Sequence, residues 1–252
     1  MSVVPPLAYR DPKFMVSDEA RPVRILAEYL SPLQSFFEHG VTATVVFFGS
    51  SRLSAHGPLG RFVDEATELA RLVTEWSRTS AGGSLVVCSG GGPGIMQAAN
   101  HGAALAGGRS IGLNIGLPRE QVPNPYITPG LSFEFHYFFM RKLWFAHLAH
   151  ALVVFPGGFG TFDELFEILT LAQTRKLEHS IPVFLYGSAF WKEVINFEAL
   201  VRHGTIASED LRLFEFVDEP RAALELLKSH ITPAPATPQR KPAFARSRNS
   251  AP

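Results

Sequence analysis

Between residues 42 and 230 the chain alternates short apolar runs with longer stretches whose apolar positions recur every three or four residues. A strand buried on both faces reads as a continuous apolar run, whereas a helix covering it needs only one apolar face, so this alternation predicts parallel strands joined by crossover helices. The runs at 44–48, 85–88, 110–113, 152–155 and 182–186 are predicted as buried strands, with 214–217 as an edge strand. Between them, Phe62, Ala66, Leu69, Leu72, Val73 and Trp76 fall on one helical face, as do Phe190, Val194, Phe197, Leu200 and Val201 before a stop at Gly204. The fold class that follows is α/β, a doubly wound, mostly parallel sheet flanked by helices. Ahead of this unit, residues 17–37 are helix-prone, with Ser17 as the expected N-cap and Pro32 as a break after Ser31. Such a segment could cover a sheet face or pack against another subunit.

Composition narrows the picture. At 252 residues, 46% hydrophobic, the chain fits one α/β core better than two. Lys plus Arg (23) balances Asp plus Glu (23), which argues against a chain-wide field for nucleic acid. Residues 231–252 carry five prolines and four basic residues with no acid, the composition of a disordered tail, and without them the body holds 19 basic and 23 acidic residues. A single cysteine, Cys88, allows no internal disulfide and no cysteine zinc cage, and no stretch approaches the roughly 18 apolar residues of a membrane span. A cytoplasmic protein that meets neither membrane nor nucleic acid is expected.

The chemistry gathers where strands end. Gly49-Ser50-Ser51-Arg52, Ser89-Gly90-Gly91-Gly92-Pro93-Gly94 and Pro156-Gly157-Gly158-Phe159-Gly160-Thr161 each follow an expected strand. In an open parallel sheet such turns meet at the carboxyl edge, where glycines let backbone amides approach a ligand and helix N-termini attract anions. A phosphate-bearing ligand is the natural reading. Neither the second nor the third loop ends in Gly-Lys-Ser/Thr, and the dinucleotide fingerprint is imperfect, so triphosphate hydrolysis and hydride transfer lose ground. In the third loop Thr161 opens a helix with Glu164 one turn inside, bringing a hydroxyl and an acid to the same mouth. The lesser alternative makes Thr161 a helix cap and Glu164 a dipole-complementing acid.

The motifs G-G-G-P-G-I-M (90–96) and P-G-G-F-G-T-F-D-E (156–164), with Met140-Arg141-Lys142 between them, resemble those of the LOG family, the cytokinin riboside 5′-monophosphate phosphoribohydrolases often mislabelled lysine decarboxylases. The resemblance covers about residues 42–230 and is strongest to the longer bacterial branch. It implies a Rossmann-like catalytic domain there; the helical extension over 1–41 and the tail fall outside the resemblance. It also implies cleavage of a nucleoside 5′-monophosphate, AMP or a cytokinin riboside monophosphate, to free base and ribose 5-phosphate with no metal or cofactor. Carried over, Arg141 and Glu164 are the catalytic pair, and Ser50, Gly91, Gly92, Gly94, Met140, Lys142, Gly157, Gly158, Gly160 and Thr161 bind phosphate or nucleotide. Where short plant members have His-Glu before Arg-Lys, this chain has Phe138-Phe139-Met140. The implied assembly is a homodimer or a hexamer of dimers.

The physical chemistry agrees with these roles. Cleaving a ribosyl C–N bond builds positive charge on the sugar, which a carboxylate can stabilise or meet with an oriented water. Arg141 can fork onto phosphate or ribose oxygens. A non-catalytic nucleotide or cofactor carrier on the same fold would keep the glycine loops without needing both side chains. Nothing marks a lysine anchored for pyridoxal phosphate. His147 and His150 lack a carboxylate that would complete a metal pattern, and Cys88 reads as a small buried hydrophobe. The aromatic run from Phe133 to Leu148 is dense enough to predict cover by a second subunit.

Overall fold

In a computed structural model, residues 5–79, 85–116, 122–177 and 179–231 are described. After the short α1 (Pro12–Met15) and the long α2 (Arg21–Glu38), strands and helices alternate. The order is β1 (Ala43–Phe48), α3 (Arg61–Thr79), β2 (Leu85–Ser89), α4 (Ile95–Leu105), β3 (Ser110–Ile115), β4 (Ser132–Phe135), α5 (Phe138–Leu148), β5 (Ala149–Val154), α6 (Phe159–Gln173), β6 (Val183–Tyr186), α7 (Ser188–Val194), α8 (Phe197–Arg202), β7 (Phe214–Val217) and α9 (Pro220–His230). The seven strands form one sheet in the order β4-β3-β2-β1-β5-β6-β7, every neighbouring pair parallel. The order reverses direction at β1, so the crevice between the carboxyl ends of β1 and β5 is where a doubly wound sheet binds ligands.

Strand alternation builds two cores. Val46, Phe48, Leu152, Val154, Val183 and Leu185 face the layer of α2, α5, α6, α7 and α8, while Val45, Phe47, Ala151, Val153, Phe184 and Tyr186 face α3, α4 and α9. Helices α3 and α4 approach closely because Gly102 has no side chain: a Cβ there would lie 2.1 Å from the Thr67 carbonyl oxygen. The doubly wound reading holds, and the sheet is wholly parallel. The expected edge strand β7 is one edge. The other edge, β4, is a strand missing from the sequence reading, which merged Phe133 and Phe135 into an aromatic run. Of the tail expected at 231–252, Ile231 is buried against the core, and 232–252 lie outside the described residues.

The leading helix differs from expectation at both ends. It starts at Arg21 rather than after Ser17, with Pro22 in its first turn, and it runs straight through Pro32 to Glu38. A proline has no N–H to give the carbonyl four residues back, here Glu28. That carbonyl accepts instead from the indole N–H of Trp144 at 3.1 Å. The Glu28 carboxylate accepts the backbone N–H groups of His136 (2.7 Å) and Tyr137 (3.2 Å), and Phe36 packs edge-on against Phe133 and Trp144. The helix thus covers the sheet face beside α5.

Trp144→Phe should cost about 1–3 kcal/mol, the range for a buried carbonyl left without a donor. In a Pro32→Ala background the cost should shrink, because the substituted alanine supplies the missing backbone N–H. Chemical denaturation of the four proteins measures this coupling, and strictly additive losses would contradict it.

Candidate functional site

Three strand-to-turn junctions meet at the carboxyl ends of β1, β2 and β5, and Ser50 ties them together. Its N–H donates to the Pro156 carbonyl (3.0 Å), its carbonyl accepts from Ile95 N–H (3.1 Å) at the start of α4, and its hydroxyl accepts from Arg52 N–H (3.0 Å). Two glycines permit this closeness. A Cβ on Gly49 would sit 2.7 Å from the Ile95 side chain, and Gly94, at φ +65°, would press a Cβ to 2.3 Å from the Ser50 carbonyl.

The third loop opens α6. A Cβ on Gly157 would overlap the Thr161 hydroxyl at 2.1 Å, so this glycine lets Thr161 fold in and become buried. At Gly158 and Gly160 a Cβ would meet nothing within 4 Å, and Phe159 between them is 95% exposed. Gly158 caps the helix without a side-chain acceptor, and no acid occupies the first turn. The leading amides of α6 therefore stand free for an anion, and the helix dipole adds to the attraction.

Beside this mouth lie the two residues expected to be catalytic. Arg141 of α5 and Glu164 of α6 form an ion pair at 3.3 Å, their side chains only 12% and 14% exposed. Arg141 is fixed on two further sides: Nε donates to the Leu113 carbonyl at the end of β3 (2.8 Å), and the guanidinium lies over the Phe145 ring at 5.2 Å. It passes directly over Gly90, where a Cβ would stand 2.7 Å from Nη2. Burial pushes the Glu164 carboxyl up to about 7, although Arg141 and Lys142 pull it down, and neighbouring Asp163 and Glu167 add to the rise. A carboxyl so poised exchanges a proton near neutral pH, the property wanted of a general acid or base. Cys88, buried beneath the pair, has its thiol pushed far up by desolvation, as befits a core residue.

Other expected site residues find other places. Met140 is buried in the core facing α2 and α6. The Lys142 ammonium is held by Asp163 (2.8 Å) and Glu167 (3.0 Å), joining α5 to α6. Gly91, at φ +75°, packs its Cα against the Asn114 side chain, and Gly92 is buried beside it. Both carbonyls accept from the side chain of Asn124, which sequence reasoning passed over. Asn100 and Asn114, also buried, were missed too; polar residues at interior positions of an apolar pattern were the available signal. In the aromatic run, Phe135, Tyr137, Trp144 and Phe145 are buried within one chain, while Phe138, Phe139 and Leu143 remain exposed.

A family model described as possible lysine decarboxylase matches residues 96–227. The cytokinin riboside 5′-monophosphate phosphoribohydrolase LOG of Oryza sativa subsp. japonica is 31% identical over 183 residues, covering 69% of each chain. The pyrimidine/purine nucleotide 5′-monophosphate nucleosidase of Escherichia coli K12 is 30% identical over 117 residues, covering 41% of this chain and 24% of that one. Among solved structures, the crystal structure of TM1055 aligns with a TM-score of 0.54 at 22% identity, covering 74% of this chain and 99% of that one, and shares the fold.

The raised carboxyl of Glu164 has a consequence for stability. A group protonated more readily in the folded than in the unfolded state contributes stability at low pH that is lost as pH rises toward its folded value of about 7. Relative to Glu164→Gln, the wild-type protein should lose stability between about pH 4.5 and pH 7. Denaturant titrations across that window test this, and a difference between the two proteins that does not change with pH would contradict it.

Proposed function

Because the chain belongs to the LOG family, we propose that it is a phosphoribohydrolase that cleaves the N-glycosidic bond of nucleoside 5′-monophosphates, AMP or an N6-modified relative, to free base and ribose 5-phosphate. The observation that carries this reading is the Arg141–Glu164 pair, withdrawn from water beside an uncapped helix N-terminus. The amides of Gly158, Gly160 and Thr161 take the 5′-phosphate, which anchors the ribose with C1′ toward Glu164. The C1′–N bond then breaks, leaving electrons with the base and positive charge on the sugar. Water forms the new C1′–O bond and passes its proton to the Glu164 carboxylate, while the departing base takes a proton from solvent. Arg141 opposes the effect of burial and so favours the ionised Glu164 that this step requires, and it offers its remaining N–H donors to the substrate's oxygens. The relatives' names, a phosphoribohydrolase and a nucleotide 5′-monophosphate nucleosidase, support the same substrate class.

The assembly proposed with this activity is a homodimer. Val23, Leu26 and Leu30 leave an exposed apolar row on α2, and Phe138, Phe139 and Leu143 leave another on α5. The two helices lie side by side, joined where Tyr29 stacks on Trp144 at 5.3 Å. A second copy laid on the same face would bury both rows and set the α5 segments of two subunits together beside their mouths.

Purified protein should release adenine and ribose 5-phosphate from AMP, with adenosine a much poorer substrate because it lacks the phosphate anchor; chromatography of the products decides. Release of base from no nucleoside monophosphate would overturn the proposed activity. Arg141→Ala should raise KM and lower kcat together. Light scattering at low micromolar concentration should give twice the 27.7 kDa of one chain or a higher even multiple. An active monomer would contradict the dimer.

A further inference from the structure

The loop under Arg141 is held by a closed ring of hydrogen bonds that plays no part in the catalytic steps described above. The N–H of Gly91 donates to the Ser89 hydroxyl (3.1 Å), which donates to Asn100 Oδ1 (2.7 Å). The same oxygen accepts from Asn124 Nδ2 (2.9 Å), which also donates to the carbonyls of Gly91 (3.0 Å) and Gly92 (3.1 Å). The ring therefore begins and ends on one residue, Gly91, gripping its peptide groups on both sides. Asn124 adds its own N–H to the Gly91 carbonyl (2.9 Å), and Asn100 Nδ2 donates to the Ile111 carbonyl of β3 (3.2 Å). Ser89 and Asn100 are 0% exposed and Asn124 is 7% exposed.

Two strands, a helix and a loop thus converge on Gly91: β2 through Ser89, β3 through Ile111, α4 through Asn100, and the segment at Asn124. A buried polar ring fixes one geometry because any shift strands a donor or acceptor away from water. The adjoining residue is Gly90, against which the ends of the Met96 and Arg141 side chains pack: a Cβ there would stand 2.6 Å from Met96 Sδ and 2.7 Å from Arg141 Nη2, so the course of this backbone limits where the guanidinium can lie. On its other side the same guanidinium meets Glu164.

Resting on the proposed hydrolase reading, we infer that Asn124, with Asn100 and Ser89, is a positioning residue for the reaction. By locking the Gly90–Gly92 backbone, the ring sets how far the Arg141 guanidinium reaches toward Glu164. The clamp acts through Arg141 and touches no reacting atom. Loosening the loop lets Arg141 drift from Glu164, and the carboxyl, which also faces Lys142, Asp163 and Glu167, loses the nearest charge that favours its ionised form.

The test compares wild type with Asn124→Ala and the milder Ser89→Ala. Two measurements are made: steady-state kinetics on AMP against pH, and carbon-13 NMR titration of the Glu164 carboxyl, assigned with Glu164→Gln. Expected are a fall in kcat of about ten- to a hundredfold, the scale of a small misplacement, with KM within about threefold of wild type. The Glu164 titration and the acid limb of the kcat profile should both move to higher pH, less so in Ser89→Ala. A merely structural ring would lower stability but leave the kcat of folded protein and the Glu164 titration unchanged, and that result overturns the inference. If Asn124→Ala does not fold, Ser89→Ala decides by the same readouts. Should wild type cleave no nucleotide, the hydrolase reading falls alone, because the NMR titration still shows whether the ring governs Glu164.

Discussion

The carboxyl edge of the sheet is organised around one difficulty, that of keeping a guanidinium and a carboxylate largely out of water. Desolvating two charges costs several kcal/mol per ion, and the cost is offset only where geometry is close and the remaining donors are used. Arg141 meets those terms with three partners of different kinds, the Glu164 carboxylate, the Leu113 carbonyl and the Phe145 ring, and packs close over the bare backbone of Gly90. Glu164 has fewer compensations, and its carboxyl is raised toward neutrality as a result. The imbalance is the useful part. It leaves a group able to hold or lose a proton at the place where a sugar cation and a water would have to be managed.

Much of the surrounding architecture can be read as what that pair requires. The reversal of strand order at β1 sends the connections after β1 and β5 to opposite faces of the sheet, which opens a crevice above their paired ends, and Ser50 stitches the three loops around it. Glycines serve different purposes here. Gly49, Gly90, Gly94 and Gly157 are small because backbone or side chains approach them from within the protein, whereas Gly158 and Gly160 are bare toward the outside. The first group shapes the site and the second leaves it open to a ligand.

Sequence patterning exposed the doubly wound layout because parallel strands are short and apolar on both faces, and the crossover helices carry one apolar stripe. It also brought Arg141 and Glu164 together, through motif resemblance rather than spacing. What it missed shares a cause: the deciding contact lies far away in the chain. Pro32 looked like a helix stop because its missing N–H is a local fact, while the indole that fills the gap comes from Trp144, over a hundred residues on. Strand β4 carries the alternation of Phe133 and Phe135 with Ser132 and Glu134, yet in a chain this rich in aromatics the period-two signal was absorbed into the helix that follows. The carboxylates that hold Lys142 sit on another helix and have no local signature beside it. Asn100 and Asn124 gave no motif at all, since a buried amide is meaningful only by what surrounds it.

The central claim is that Glu164 performs chemistry and the glycine loops perform binding. The most direct measurement is a paired one on Glu164→Gln: AMP affinity by calorimetry and AMP turnover by base release. Affinity within a fewfold of wild type, with turnover down by at least about a hundredfold, is the predicted result. Turnover at the wild-type rate would make the carboxylate a feature of the helix terminus and contradict the mechanism.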